Sequence, residues 1–318
     1  MTTSQVGKEE QLNLESLTWG NLTWINIEGP TEQETEYLAQ NYHFHHLDLD
    51  DCLSRIQRPK IDEYEDYLFL IFHFNVYNKA TRVSALSQVS VFIGEKYLIT
   101  LHSGELKTLS KLFRECQIDE EARRDNFSHG SGYLLYRILD RAVDAYFPVL
   151  DKIMSLMEDV EDSVFDENVE AAQGVANLRR DIITQRRLFF SLRPVMAELE
   201  SKLKRFATID MSVQWGDLID HMNKIWETLD ECKELIEVFK DTDYVLSTDR
   251  INRIMRLLTI LSLISLPFVI LNNIYSMNIV LPGGLNAEGN PKTFFILVAA
   301  MFFLSGAIFY FFHRKRWI

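Results

Sequence analysis

Apolar and polar positions change rhythm three times along this chain. Up to about Ser128 the apolar residues come in short runs between turn residues. Trp24-Ile25-Asn26-Ile27 reads as a short strand, and Tyr67 to Tyr77 is too apolar and β-rich for anything but a buried strand. Gln88 to Ile93 and Tyr97 to His102 flank Gly94-Glu95-Lys96, which predicts a hairpin. Glu32 to Asn41 predicts a polar helix with Thr31 as its N-cap. A mostly antiparallel or mixed sheet covered by helices satisfies this pattern, giving an α+β body.

From Tyr133 onward the strand signals stop. Leu134 to Phe165 and Val169 to Leu203 predict two long charged helices. Beyond Asp217, Leu218, Met222, Ile225, Leu229, Cys232, Ile236 and Phe239 step by 4, 3, 4, 3, 4 and 3 residues, a heptad seam. Asp243 interrupts it and Leu246 resumes it. No glycine or proline lies between Gly216 and Pro267, so one helix is predicted from about Ser212 to Tyr275, roughly 90–95 Å at 1.5 Å per residue. The seam suggests self-association along that helix.

The third rhythm is continuous. Leu257 to Tyr275 and Thr293 to Phe312 are uncharged apolar spans, each about the 20 residues that a helix needs to cross a bilayer. The predicted organisation is therefore a cytosolic α/β domain (1–130), long charged helices (131–211), a stalk helix (212–256), a first transmembrane helix (257–275), an external loop (276–292), a second transmembrane helix (293–312) and a basic tail (313–318). Two helices cannot enclose a path for a polar solute, so transport would require an oligomer.

Charge orients the hairpin. Arg250, Arg253 and Arg256 precede the first span, and Arg314, Lys315 and Arg316 follow the second, whereas the stretch between carries only Glu288 and Lys292. Basic residues mark the cytoplasmic side, which places both termini inside, as a multi-pass protein of a cell inner membrane. The amino-terminal residues lack the apolar core of a signal peptide. The net charge of −13 is divided unevenly: from Arg250 onward there are seven basic residues and one acidic, leaving 26 basic and 45 acidic in residues 1–249. Such an acidic body suits solubility or the gathering of cations and argues against a nucleic-acid partner. Cys52, Cys116 and Cys232 form no CxxC pair and read as reduced packing residues. Neither a nucleophile–base set nor a phosphate-binding glycine motif is present, so the chain does not read as an enzyme.

Within the first span, Met255, Leu258, Ser262, Leu266, Val269 and Asn273 follow three- and four-residue steps and share one helical face. An amide deep in a membrane helix is costly unless it meets water or a partner. The stripe therefore reads as a pore lining with apolar constrictions, or else Asn273 hydrogen-bonds a neighbouring helix. Asn272, about 100° round the helix, is expected against such a neighbour.

Tyr275-Ser276-Met277-Asn278, placed straight after a span containing Pro267, closely resembles the Tyr-Gly-Met-Asn signature of the CorA family of magnesium channels. Gln57-Arg58-Pro59-Lys60-Ile61-Asp62-Glu63-Tyr64, the Tyr67–Phe72 run and Gly94-Glu95-Lys96-Tyr97-Leu98-Ile99-Thr100 resemble the same family's soluble domain. The resemblance implies a homopentameric funnel whose long helices line the pore and which carries Mg²⁺, often with Co²⁺ and Ni²⁺, closing when cytosolic Mg²⁺ is plentiful. Tyr275, Ser276, Met277 and Asn278 would form the ion filter, Asn278 meeting the hydrated ion through its amide oxygen. A ring of neutral amides would accept hydrogen bonds from the waters that Mg²⁺ surrenders slowly. Asp217, with Asp220-His221 following, resembles the family's regulatory Mg²⁺ carboxylates. Ser276 stands where the family has glycine, and a related carrier of Zn²⁺, Co²⁺ or Ni²⁺ is the alternative. A different class would be a cytosolic binding or signalling module anchored by the hairpin. His43, His45 and His46 with Asp48, Asp50 and Asp51 have the ligand types of a zinc site, but the stretch matches the ordinary lead-in to Arg58-Pro59-Lys60.

Overall fold

A computed structural model describes residues 12–54, 57–78, 83–166, 171–277 and 292–315. They fall into two compact units, Met1–Lys240 and Asp241–Ile318. The first contains β1 (Leu14–Trp19), β2 (Leu22–Glu28), α1 (Glu32–Asn41), α2 (His46–Leu53), β3 (Lys60–Glu63), β4 (Tyr67–Asn78), β5 (Val83–Gly94), β6 (Tyr97–His102), α3 (Lys107–Ile118), α4 (Glu120–Phe127), α5 (Ser131–Asp144), α6 (Phe147–Phe165) and α7 (Ala172–Leu203). The helix α8 (Ser212–Tyr275) contributes to both units, and α9 (Lys292–Arg314) belongs to the second.

The sheet has the order β1-β2-β6-β5-β4-β3 and is mixed: β2 and β6 run parallel while the other neighbours are antiparallel. Strand β4, which lies between β5 and the edge strand β3, is apolar from Tyr67 to Phe72 because both of its faces are covered there. Phe69 and Ile71, with Phe92, Ile99, Ile25 and Ile27, pack on Leu38 of α1 and on Leu49 and Cys52 of α2. The intervening Leu68, Leu70 and Phe72 are equally buried. On strand β2, Trp24 is fully buried edge-to-face on Phe113 of α3, with ring centroids 4.9 Å apart, and its Nε1 donates to Thr100 Oγ1 at 3.0 Å. Thr31 caps α1 as expected: its hydroxyl accepts from Gln33 N, and the Glu34 carboxylate accepts from Thr31 N at 2.9 Å, closing a capping box.

Two expectations require correction. The stretch from Leu134 to Phe165 is not one helix but α5 and α6, broken at Ala145-Tyr146. Pro148 is the reason: it lacks an amide hydrogen, which costs nothing in the first turn of a new helix but would break a continuing one. The second correction concerns the heptad seam. Leu218, Ile225, Leu229 and Ile236 are 0 % exposed, and Met222, Cys232 and Phe239 are also buried, within a single chain. Their cover comes from the same chain: α5 and α6 meet this part of α8 through Tyr136, Asp144 and Phe147, and α7 runs antiparallel to it. Trp215 Nε1 donates to Met196 O at 3.1 Å, the Arg193 guanidinium lies 5.4 Å from the Trp226 ring, Arg186 pairs with Asp230 at 2.5 Å, and Arg179 with Glu237 at 2.6 Å. Self-association therefore cannot be inferred from the seam, whose apolar positions are already satisfied in cis.

In the second unit α8 meets α9 through Phe268, whose ring meets Phe302 edge-on at 5.0 Å, and through Ser305, whose Oγ donates to Ile264 O at 3.0 Å; Ile260 and Pro267 on the same side of α8 are buried. Both helices are long and apolar enough to cross a membrane, with mean hydropathy of 2.3 and 2.4 over their most apolar stretches.

Candidate functional site

One turn of α8 advances about 3.6 residues, so Ser262 and Ile264 lie about 200° apart on its circumference. The side carrying Ile260, Ile264, Pro267, Phe268 and Leu271 is the more enclosed one. The opposite side presents Met255, Leu258, Ser262, Leu266, Val269 and Asn273, all exposed. Four of the six are apolar and 49–56 % exposed. Unit two thus leaves uncovered the stripe that the sequence singles out. Asn272, expected against a neighbouring helix, is likewise exposed in the chain.

The stripe's polar groups differ in readiness. Ser262 donates its hydroxyl to its own helix, Oγ to Leu258 O at 2.8 Å, and offers only lone pairs outward. Asn273, an exposed amide in the last turn of the helix, has both a carbonyl and an NH₂ to present. Where α8 ends, Ser276 bonds back twice to Asn272 O, through N at 3.0 Å and through Oγ at 2.7 Å, and Met277 N reaches Ile274 O at 3.2 Å. Through its hydroxyl, serine here serves the backbone of the terminal turn, a use that glycine lacks. Tyr275 is the last helical residue and Met277 is exposed. Asn278 and the rest of the connecting loop lie outside the described residues.

A separate acidic group joins α5 to α8 in the first unit. His221 stands between two carboxylates, Nδ1 3.2 Å from Asp144 and Nε2 3.9 Å from Asp217, with Phe147 edge-on at 5.4 Å. Burial raises the Asp140 carboxyl above its usual range, and neighbouring Asp144 adds to the rise, against the pull of Arg137 at 3.6 Å and of His221. Asp217 and Asp220 are exposed. Sequence reading found Asp217, Asp220 and His221 but missed Asp140 and Asp144; their four-residue spacing on an amphipathic helix was the available signal. Among the described residues no three His, Cys, Asp or Glu side chains are arranged to hold a metal.

The histidine-rich stretch is accounted for locally. His45 caps α2, its Nδ1 accepting from Leu47 N; Tyr67 OH donates to Asp48 at 3.2 Å; Lys60 pairs with Asp51 at 2.7 Å. The buried Cys52 and Cys116 thiols are pushed up by burial to about 12 and about 11, which keeps them protonated and fits packing roles.

Against known proteins, the model of the family described as CorA-like Mg²⁺ transporter protein matches residues 19–314. YfjQ of Bacillus subtilis (strain 168), whose assignment as a metal ion transporter is itself an inference, is 31 % identical over 266 residues, covering 80 % of this chain and 78 % of YfjQ. The cobalt/magnesium transport protein CorA of Thermotoga maritima is 25 % identical, covering 93 % of this chain and 83 % of its own. The zinc transport protein ZntB of Yersinia pestis is 21 % identical over 93 % of this chain and 88 % of its own. Among solved structures, the CorA magnesium transporter of Methanocaldococcus jannaschii matches the fold with a TM-score of 0.76 at 23 % identity, covering 96 % of this chain and 95 % of that one.

Proposed function

The chain belongs to the CorA-like Mg²⁺ transporter family, and on that premise we propose that it is a passive Mg²⁺ influx channel, a homopentamer of the cell inner membrane with both termini in the cytoplasm. Membership makes it a divalent-cation transporter rather than an enzyme, and it sets aside the anchored signalling module. The observation that carries the finer reading is the exposed stripe from Met255 to Asn273 on α8. A path for a hydrated ion cannot lie inside two helices, so it lies between copies, and this stripe, part of the α8 surface that unit two leaves uncovered, carries uncharged polar groups suited to line it. Ser262 and Asn273 offer uncharged oxygens there, which suit an ion that keeps its waters, while Met255, Leu258 and Leu266 supply constrictions that close by dewetting. The filter follows at Tyr275, Ser276, Met277 and Asn278, with Asn278 nearest the hydrated ion.

A second reading, transport of Zn²⁺, Co²⁺ or Ni²⁺, is favoured by Ser276 in the glycine position and by the likeness to ZntB. Tracer uptake into proteoliposomes, with Mg²⁺, Zn²⁺, Co²⁺ and Ni²⁺ compared under one gradient, decides between them. Mg²⁺ uptake at least equal to the others is expected; uptake of Zn²⁺ with none of Mg²⁺ would overturn the first reading.

Regulation is proposed at Asp217 and Asp220. Cytosolic Mg²⁺ between carboxylates of adjacent copies would hold the closed arrangement, and its loss would leave like charges facing one another. Even about 1 kcal/mol per interface, the scale for two charges near 4 Å in water, sums to several over five interfaces, enough to shift a two-state gate. Asp217→Ala is therefore expected to move inhibition by cytosolic Mg²⁺ to higher concentration. Flux curves superimposable on wild type would remove Asp217 from regulation.

A further inference from the structure

The exposed stripe of α8 is carried by a helix that is weak in one segment. Pro267 has no amide hydrogen, which deprives the Leu263 carbonyl of its usual helical donor. In the turns before it, three hydroxyls bond back to their own helix: Thr259 Oγ1 to Met255 O at 2.8 Å, Ser262 Oγ to Leu258 O at 2.8 Å, and Ser265 Oγ to Ser262 O at 3.0 Å. Back-bonding of this kind bends helices, and proline is the commonest site of a kink. Into this same segment comes a side chain from α9. Ser305 is only 7 % exposed, and its Oγ donates to Ile264 O at 3.0 Å, one residue past the carbonyl that Pro267 orphans. One turn away, the Phe268–Phe302 contact holds the two helices together. A hydroxyl enclosed between apolar spans is costly without a partner, so this bond lasts only while α8 and α9 keep this spacing at this point.

We propose that Ser305 is a positioning residue for transport: by bonding the Ile264 carbonyl it fixes the bend of α8 over Thr259–Pro267 and with it the alignment of the exposed stripe. Ile264 lies across the helix from Ser262, so the bond and the proposed ion path load opposite sides of the same turn. Met255 and Leu258 precede the bend, whereas Asn273 and Ser276 follow it. Asn273 lies about 14 Å along the helix from Ile264, so a change of about 10° in the bend swings it by about 2 Å, comparable with a hydrogen-bond length. In this way α9 sets the angle of α8 without itself touching the solute. This inference rests on the reading of that stripe as the ion path.

The test compares wild type, Ser305→Ala and Ser305→Thr in proteoliposomes, reading flux against cytosolic Mg²⁺ after each variant is shown to elute at the wild-type size. Ser305→Ala should shift the half-inhibiting Mg²⁺ concentration by about threefold or more, the factor that one membrane hydrogen bond of average strength carries. Ser305→Thr, which keeps the hydroxyl, should restore the wild-type curve. Coincident curves for wild type and Ser305→Ala would overturn the proposal, as would a threonine variant that behaves like alanine. A readout independent of transport uses spin labels at Leu261 and Phe303, both exposed, in labelled chains diluted among unlabelled ones. The distance distribution should broaden in Ser305→Ala and stay narrow in Ser305→Thr; equal widths in all three overturn the latch even if the protein carries no ion. Absence of flux in wild type for every ion, together with a broadened alanine variant, would instead overturn the transport reading alone.

Discussion

Asn278→Ala is expected to abolish divalent-cation uptake while the assembly stays intact. The argument begins at the end of α8, where the helix closes with Ser276 bonded back to Asn272 and Met277 to Ile274. Asn278 is the next residue in the sequence, and it follows shortly after the exposed stripe that ends at Asn273. If it faces the path, each copy contributes one neutral amide oxygen to a ring that accepts hydrogen bonds from the ion's own waters. Removing the ring takes away those acceptors and with them the proposed discrimination at the filter. Tracer uptake at background, in a variant whose light-scattering mass remains about five times the 37.2 kDa chain, is the expected result. Wild-type uptake in Asn278→Ala would place the filter elsewhere, and a monomeric mass for the wild-type protein would sink the channel reading. Ser276→Gly, by contrast, should retain flux, since it deletes one hydroxyl bond in an exposed turn.

Leu229→Ala should cost about 2–5 kcal/mol of stability in the body, the range for truncating a fully buried leucine. What distinguishes the present structure is the concentration dependence of that loss. The seam from Leu218 to Phe239 closes on α7 of the same chain, with Arg186–Asp230 and Arg179–Glu237 fixing the antiparallel register. Destabilisation should therefore be equal at high and low protein concentration, because the partner is tethered. An interchain seam would instead show a midpoint that falls on dilution. Denaturant melts of the full chain in detergent, at two concentrations a hundredfold apart, provide the comparison. A dilution-dependent difference between Leu229→Ala and wild type would reassign the seam to another copy.

Much of this fold was legible because local chemistry and tertiary role coincide. Thr31 with Glu34 announces a capping box; the apolar run of β4 admits one role; and the lack of helix breakers between Gly216 and Pro267 matches α8 from Ser212 to Tyr275. Other features were less visible for physical reasons. β1 and β3 are short and lie at the sheet edges, with few buried side chains, so their periodicity is weak. Pro148 marks the first turn of α6, a break that the continuous helical pattern from Leu134 to Phe165 hides. The seam from Leu218 to Phe239 is legible as an apolar stripe but not as an interchain surface, because a heptad says nothing about which helix covers it. In the candidate site, the stripe from Met255 to Asn273 follows from spacing alone, whereas the approach of Asp144 to His221 joins residues 77 positions apart and depends on the packing of α5 against α8.

The intrachain closure of the seam also bears on how such a chain is made. Everything needed to bury Leu218, Leu229 and Ile236 has left the ribosome before the first span begins at Leu257. Domains generally fold in the order of synthesis, so the body has its complete core while the apolar helices are still emerging. Membrane insertion and subunit assembly then act on a part already folded, and the seam is not an exposed apolar surface awaiting a partner. A seam that waited for other copies would leave seven buried positions in water throughout translation, an invitation to aggregate. Released chains truncated just before Leu257 should accordingly resist protease over the body, whereas chains truncated before Ser212 should not.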